Sequence, residues 1–176
     1  MIHSGNLIIT ADNCSDFKNI AEITGYLEIK RGVTFDAPAL TSVGGDVYVY
    51  GKFDAPALNS VGGYVSVYGK FDAPALTSVG GDVYVYGKFD APALTSVGGY
   101  VSVSGKFDAP ALTSVYGVPG KLLAVKDYWL WKSNEGKYYA GCKRGFSKDQ
   151  CISLAQSYED QETAQLFINA IIESEK

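Results

Sequence analysis

Along the first two thirds of the chain, apolar residues recur in a short alternating beat, V-x-V, that returns at a fixed interval. In the unit from Asp46 to Gly63, DVYVYGKFDAPALNSVGG, Val47 and Val49 flank an outward Tyr48, the period of 2 expected of a strand with one buried face. The unit recurs without a gap at Tyr64 (YVSVYGKFDAPALTSVGG), Asp82 (DVYVYGKFDAPALTSVGG) and Tyr100 (YVSVSGKFDAPALTSVYG). Two looser and slightly longer copies begin near Asn6 and Tyr26, where Leu7, Ile9, Ile23, Leu27, Ile29 and Val43 occupy the positions later held by Val47, Val49 and Val61. Six coils result. Odd and even coils differ, so the unit of duplication is a pair of coils, Asp46 to Gly81 and then Asp82 to Gly117.

Within a coil, Phe53, Leu58 and Val61 carry the chain back along an apolar core. Gly51, Gly62 and Gly63 are read as turn residues with positive φ, and Pro56 as a bend that interrupts the ladder. One coil cannot bury its own inner face, but six stacked about 4.8 Å apart give a continuous core roughly 29 Å long. The pattern therefore predicts a mainly β protein, a short parallel β-solenoid over residues 1–118. Its open ends need covers, and the irregular first coil and the non-repeating C-terminus are the candidates.

Two solenoids fit this spacing. In a left-handed hexapeptide helix three hexapeptides make a coil of this length, and Val49, Ala55 and Val61 fall six apart, but it leaves bulky Phe53 and Leu58 without places. The run LTSVGGDVYVYGKFDAPAL resembles bacterial leucine-rich repeats and the receptor L-domain pattern, in which L-x-x-V-x-G precedes a V-x-V strand. That resemblance covers residues 6–117 and implies stacked parallel strands with an extended binding face. Coils this short leave no room for convex helices and carry no asparagine ladder, departures that point to an all-β coil of either hand.

From Pro119 the composition changes. KLLAVKDYWLWKS and KYYAGCKRGF read as two strands joined at Ser133-Asn134-Glu135-Gly136. Ser147 caps a helix through KDQCISLAQSY with Ile152 and Leu154 on its apolar side, and a second helix from Asp160 carries a stripe of Ala164, Phe167, Ile168 and Ile171. A ββαα unit over residues 119–176 is expected to pack on the last coil, being small for independent stability. The run YYAGCKRGFSKDQC, with the helices that follow, is similar to the endings of uncharacterised phage and prophage proteins, which implies a phage or mobile-element origin.

Three outward columns can be read from the strands. They run Asn6, Tyr26, Asp46, Tyr64, Asp82, Tyr100; then Ile8, Glu28, Tyr48, Ser66, Tyr84, Ser102; then Thr10, Lys30, Tyr50, Tyr68, Tyr86, Ser104. In the first two columns of the full repeats tyrosine alternates with serine or aspartate in a checkerboard, which suits rungs too close for rings at every position. Tyr48, Tyr50, Tyr64, Tyr68, Tyr84, Tyr86 and Tyr100 are the candidate protein-binding residues, since tyrosine gives large contact area at low entropic cost. The same pattern also follows from strand preference and repeat copying alone. Lys52, Lys70, Lys88 and Lys106 lie two residues from Asp54, Asp72, Asp90 and Asp108, so that edge is expected to neutralise itself and DNA mimicry is a minor reading.

Composition narrows the functional classes. Net charge is -4, and no apolar run is long enough to cross a bilayer. Cys14, Cys142 and Cys151 make an odd number without framework or zinc spacing, and the start MIHSGNLIIT does not look like a secretion signal, so a cytoplasmic location, the host's if phage-encoded, is expected. The single histidine, His3, at a terminus expected to be mobile, leaves cysteine or serine nucleophiles without a base. No catalytic residue, metal site or cofactor is nominated, and the chain reads as no enzyme.

Residues 121–148 hold seven cations against Asp127 and Glu135, a net of +5, interleaved with Tyr128, Trp129, Trp131, Tyr138 and Tyr139. Trp129, Trp131, Lys143 and Arg144 are therefore a possible second contact, and single-strand nucleic-acid binding is the alternative function. The first reading is a non-enzymatic protein-binding module, an accessory protein that sequesters or inhibits a host antiviral component. A self-assembling structural repeat is the third reading, and homo-oligomers fit its sticky ends and tyrosine face.

Overall fold

The structure, a computed structural model, describes residues 1–125, 129–140, 143–157 and 161–174. The chain winds into a parallel β-solenoid of about six coils with three sheet-bearing sides. One side stacks the V-x-V strands, from Leu7–Ile9 and Leu27–Ile29 to Val101–Val103. The second stacks the K-F-D strands from Thr34–Asp36 to Lys106–Asp108. The third stacks two-residue strands from Ile2–His3 and Glu22–Ile23 to Ser114–Val115. Each residue pairs with its equivalent in the next coil, as in Val47, Val65 and Val83, so like side chains form columns.

The core consists of those columns. Val47, Val49, Phe53, Ala55, Leu58 and Val61 are buried, and the coils that follow repeat them, save that Phe107 of the last coil is half-buried. The Phe column stacks at every step but one: Phe71 and Phe89 rings lie 4.9 Å apart and 2° from parallel, whereas Phe53 meets Phe71 edge-on at 5.6 Å. Pro56 occupies the second position of a turn closed by the Leu58 N–H donating to the Ala55 carbonyl at 3.0 Å. Gly51, Gly62 and Gly63 do not have the positive φ expected of them, which among the described glycines is confined to Gly5, Gly32, Gly117, Gly136 and Gly145. They are needed for closeness: a Cβ on Gly51 would fall on the Val33 carbonyl oxygen, and one on Gly62 on that of Gly44.

At its far end the third side changes direction. Tyr116 (φ 58°) and Gly117 (φ 67°) form a two-residue loop between paired Val115 and Val118. Two consecutive positive φ angles are what a tight hairpin turn requires, so the sheet turns antiparallel. It continues through Val118–Val125, Trp129–Ser133, Tyr138–Ala140 and Lys143–Phe146. The two long strands expected here are thus each folded back into a pair, four strands before the helices. Helix α1 (Lys148–Gln156) opens on the expected cap, where Ser147 Oγ accepts from Gln150 N–H and Gln150 Oε1 accepts from Ser147 N–H at 2.9 Å. Its buried residues are Cys151 and Ala155, four apart on one face. Ile152 and Leu154 are only half-buried. Helix α2 (Gln161–Glu173) buries Ala164, Phe167 and Ile171 of the expected stripe. Among the described residues, no helix is long and apolar enough to cross a membrane.

The ends are closed differently. Trp131 inserts into the solenoid core, with Leu122 and Tyr139 packed beside it. At the start, the turns of residues 11–19 place Cys14 and Phe17 against the core. His3 lies in a paired strand rather than a mobile end, and its ring meets Phe17 edge-on at 5.7 Å.

Candidate functional site

The V-x-V side carries the candidate surface, because its outward residues stand in register. Tyr48 pairs with Ser66, Ser66 with Tyr84 and Tyr84 with Ser102, so every ring in this column is followed by a hydroxyl. The vacancy above each serine is filled from the adjoining column. Tyr64 meets Tyr48 edge-on at 5.2 Å and Tyr84 edge-on at 6.3 Å. Ser66 beneath is left only 8% exposed. A zigzag of rings follows, extended by Tyr26 against Tyr48 at 6.0 Å and by Tyr84 against Tyr100 at 5.0 Å. It ends on Tyr116, 6.3 Å from Tyr100.

The third column behaves otherwise. Tyr50, Tyr68 and Tyr86 occupy consecutive rungs and stack nearly parallel, 5.1 Å and 4.6 Å apart. They are 36%, 48% and 49% exposed, whereas Tyr48, Tyr64, Tyr84 and Tyr100 are half-buried. All seven expected tyrosines therefore share one side, but in two roles. The zigzag makes a ridge, and the stack makes an outer wall.

Between them lies a groove of about 450 Å³, floored by Ser66 and lined by Tyr48, Tyr50, Tyr64, Tyr68, Tyr84, Tyr86 and Asp82. A second hollow of about 300 Å³ adjoins it at Tyr48 and Tyr50 and reaches Tyr26 and Glu28. A shallow trough of about 500 Å³ also runs along the third side, lined chiefly by serine, valine and glycine. It offers few side chains to recognise anything.

Polar contacts fix the ridge. The Tyr48 and Tyr64 hydroxyls hydrogen-bond each other, as do those of Tyr84 and Tyr100. These bonds, with burial, raise the pKa of Tyr48 and Tyr84 above the ordinary phenol value, so both stay protonated. Asp46 Oδ1 accepts the Tyr64 N–H at 3.0 Å, and Asp82 Oδ1 accepts the Tyr100 N–H at 2.9 Å. The Tyr84 hydroxyl also donates to Asp82 Oδ2 at 3.2 Å. Lys30 is paired with Glu28 at 2.6 Å. On the K-F-D side, Lys70–Asp72 (3.1 Å) and Lys88–Asp90 (3.3 Å) pair within their own strands, so those charges are self-compensating.

The C-terminal candidates fall elsewhere. Trp131 is 1% exposed and closes the solenoid core, so it is no outer contact: the strand's alternation points it at the last coil. Tyr138 is buried beneath the helices, and the Lys132 ammonium lies 5.7 Å from its ring centroid. The side chains of Trp129, Lys143 and Arg144, and all of Lys126, Asp127, Tyr128, Cys142, Glu159, Asp160 and Glu175, lie outside the described residues. Asp46, Asp82 and Glu28 belong to the surface without being among the residues the sequence nominates. Their place in the outward columns was the available signal.

The class these features define is a three-sided parallel β-solenoid repeat protein with an aromatic groove along one side. In comparisons with known protein families, curated proteins and solved structures, nothing matched the chain. These comparisons show neither a leucine-rich-repeat family nor a phage link for the chain.

Proposed function

We propose that the protein is a non-enzymatic binding protein that engages a protein partner through the tyrosine side of its solenoid. The observation that carries this is the exposed stack of Tyr50, Tyr68 and Tyr86 beside the hydrogen-bonded ridge. These rings already pack against one another, so binding costs little further side-chain entropy. Solenoids commonly use an extended sheet side in this way.

The finer part of the proposal is that the protein is a phage or mobile-element accessory that sequesters a host component, for instance one of an antiviral system, inside the host cell. Its support is the C-terminal run YYAGCKRGFSKDQC and the helices after it. Burial of Trp131 and Tyr138 removes two rings from any base-stacking surface on the hairpin, which makes nucleic-acid binding the weaker reading. The test is affinity capture from bacterial lysate with the intact protein and with a folded Tyr50→Ser, Tyr68→Ser, Tyr86→Ser variant. A protein captured only by the intact chain identifies the partner. Equal capture by both sinks the proposed surface.

A further inference from the structure

We infer that the tyrosine groove seats a basic polyproline II segment, one with a cation at every third residue; this rests on the side being a protein-binding surface. The argument begins with the period of the surface. Tyr48 and Tyr84 stand two rungs apart with Ser66 between them, so the chemistry of the ridge repeats on every second rung. The hydroxyl pairs Tyr48–Tyr64 and Tyr84–Tyr100 keep the same period, as do the carboxylates of Asp46 and Asp82. With neighbouring strands about 4.8 Å apart, two rungs advance about 9.6 Å. A polyproline II chain has three residues per turn and a rise of about 3.1 Å, so it presents the same face about every 9.3 Å. A β-strand presents the same face about every 6.8 Å and falls out of step at once.

Charge selects the side chain. Among the described residues neither Asp46 nor Asp82 has a salt-bridge partner, and Lys30, the cation of these columns, is occupied by Glu28. The surface thus offers two uncompensated carboxylates, Asp82 lining the groove and Asp46 two rungs earlier, outside its lining. Asp46 is held by the Tyr64 N–H through one oxygen, and Asp82 accepts the Tyr100 N–H on one oxygen and the Tyr84 hydroxyl on the other; the second lone pair of each oxygen leaves acceptor capacity for a guanidinium or ammonium. The rest of the groove suits the peptide backbone. Ring-lined grooves hold polyproline II chains by packing on the ring bodies, with the hydroxyl tips free to meet carbonyls. From Tyr26 to Tyr86 the two hollows span four rungs, about 14 Å, which holds about five residues of such a chain. The stacked rings cover one another's faces, which takes away the flat platform a sugar would need.

The experiment is isothermal titration of the full chain at low salt with four probes: (Arg-Pro-Pro)4, the same composition rearranged as (Arg-Arg-Pro-Pro-Pro-Pro)2, (Glu-Pro-Pro)4, and cellohexaose. The first is expected to bind, the second at least about threefold more weakly, and the last two not at all. Asp46→Asn and Asp82→Asn should each weaken the first probe about three- to tenfold. Both variants should fold, because Asn6 makes the equivalent bond in the first coil, accepting the Tyr26 N–H at 3.1 Å. Failure of the first probe to bind overturns the inference. So do equal binding of the two arginine peptides, binding of the glutamate peptide or cellohexaose, and indifference to both Asp→Asn changes. If partner capture is lost in the triple tyrosine variant yet survives Asp46→Asn with Asp82→Asn, the surface stands and this inference alone falls.

Discussion

Leu130 and Trp131 are adjacent in one strand and belong to different cores. Leu130 packs with Tyr138, Cys151, Phe167 and Ile171 under the helices, whereas Trp131 joins the column of valines and phenylalanines inside the solenoid. The alternation of a β-strand sends successive side chains to opposite faces, so one antiparallel sheet serves as floor to the helix pair and lid to the last coil. Trp131→Ala should therefore cost about 3–5 kcal/mol in urea unfolding and promote end-to-end association, seen as increased mass in light scattering. Trp131→Phe should retain most of the stability, because it keeps a ring in place and removes a buried indole N–H that has no hydrogen-bond partner among the described residues. Equal losses in both variants would contradict the lid.

The glycine columns set how closely the coils can approach. A Cβ on Gly69 would fall on the Gly51 carbonyl oxygen, which is backbone and cannot swing away. Gly69→Ala should cost at least about 1–3 kcal/mol, the range of an overpacked core. Tyr68→Ser, one residue earlier and half-exposed, should cost well under that. The comparison of urea midpoints decides it, and similar losses would show that the coils have room to spread.

Alkaline pH should weaken the fold through the ridge. The hydrogen bonds from Tyr64 and Tyr100, with burial, raise the folded-state pKa of Tyr48 and Tyr84 above the ordinary phenol value of 10.0. The unfolded chain then releases these protons first. Their stabilisation is complete below about pH 10 and is lost as pH climbs beyond it toward the raised folded values. Denaturation midpoints measured from about pH 8 to 11 should fall less steeply above about pH 10 in a Tyr48→Phe, Tyr84→Phe variant than in the natural chain. Parallel curves would remove these phenols from the linkage.

Cys151 should be chemically quiet while the helices are packed. Burial pushes its thiol up to about 11, and its side chain is enclosed between α1 and α2. With Cys14 and Cys142 replaced by serine, its reaction with a thiol reagent at about pH 8 should be at least about 100-fold slower than in urea, since it waits on opening of the helix pair. A rate close to that of the unfolded chain would show that this small core is open.

The solenoid was legible in the sequence because repetition fixes each residue's environment five or six times over. Val47, Val49, Phe53, Leu58 and Val61 sit inside as their spacing implied, and the outward columns align as counted. The reason for the glycines was not legible, since a tight turn and a close backbone approach both select glycine and only coordinates separate the two. Nor was the switch to antiparallel pairing at Tyr116-Gly117, where the last repeat has Tyr-Gly in place of Gly-Gly, a small departure with a hairpin's conformational demand. In the site, the tyrosines could be placed on one side, but not sorted into ridge and stack. That division depends on how each ring turns to fill the space above a serine one rung away, which register alone does not reveal.

Tyrosine footprinting of the free and partner-loaded protein tests the central claim most directly. Nitration followed by mass spectrometry should mark Tyr50, Tyr68 and Tyr86 readily in the free chain and mark the half-buried Tyr48 and Tyr84 less. With the captured partner bound, Tyr50, Tyr68 and Tyr86 should be protected together while Tyr116 and Tyr139 are unchanged. If the three stacked tyrosines remain as reactive in the complex as in the free protein, the tyrosine side is not the binding surface and the solenoid is a scaffold for contacts made elsewhere.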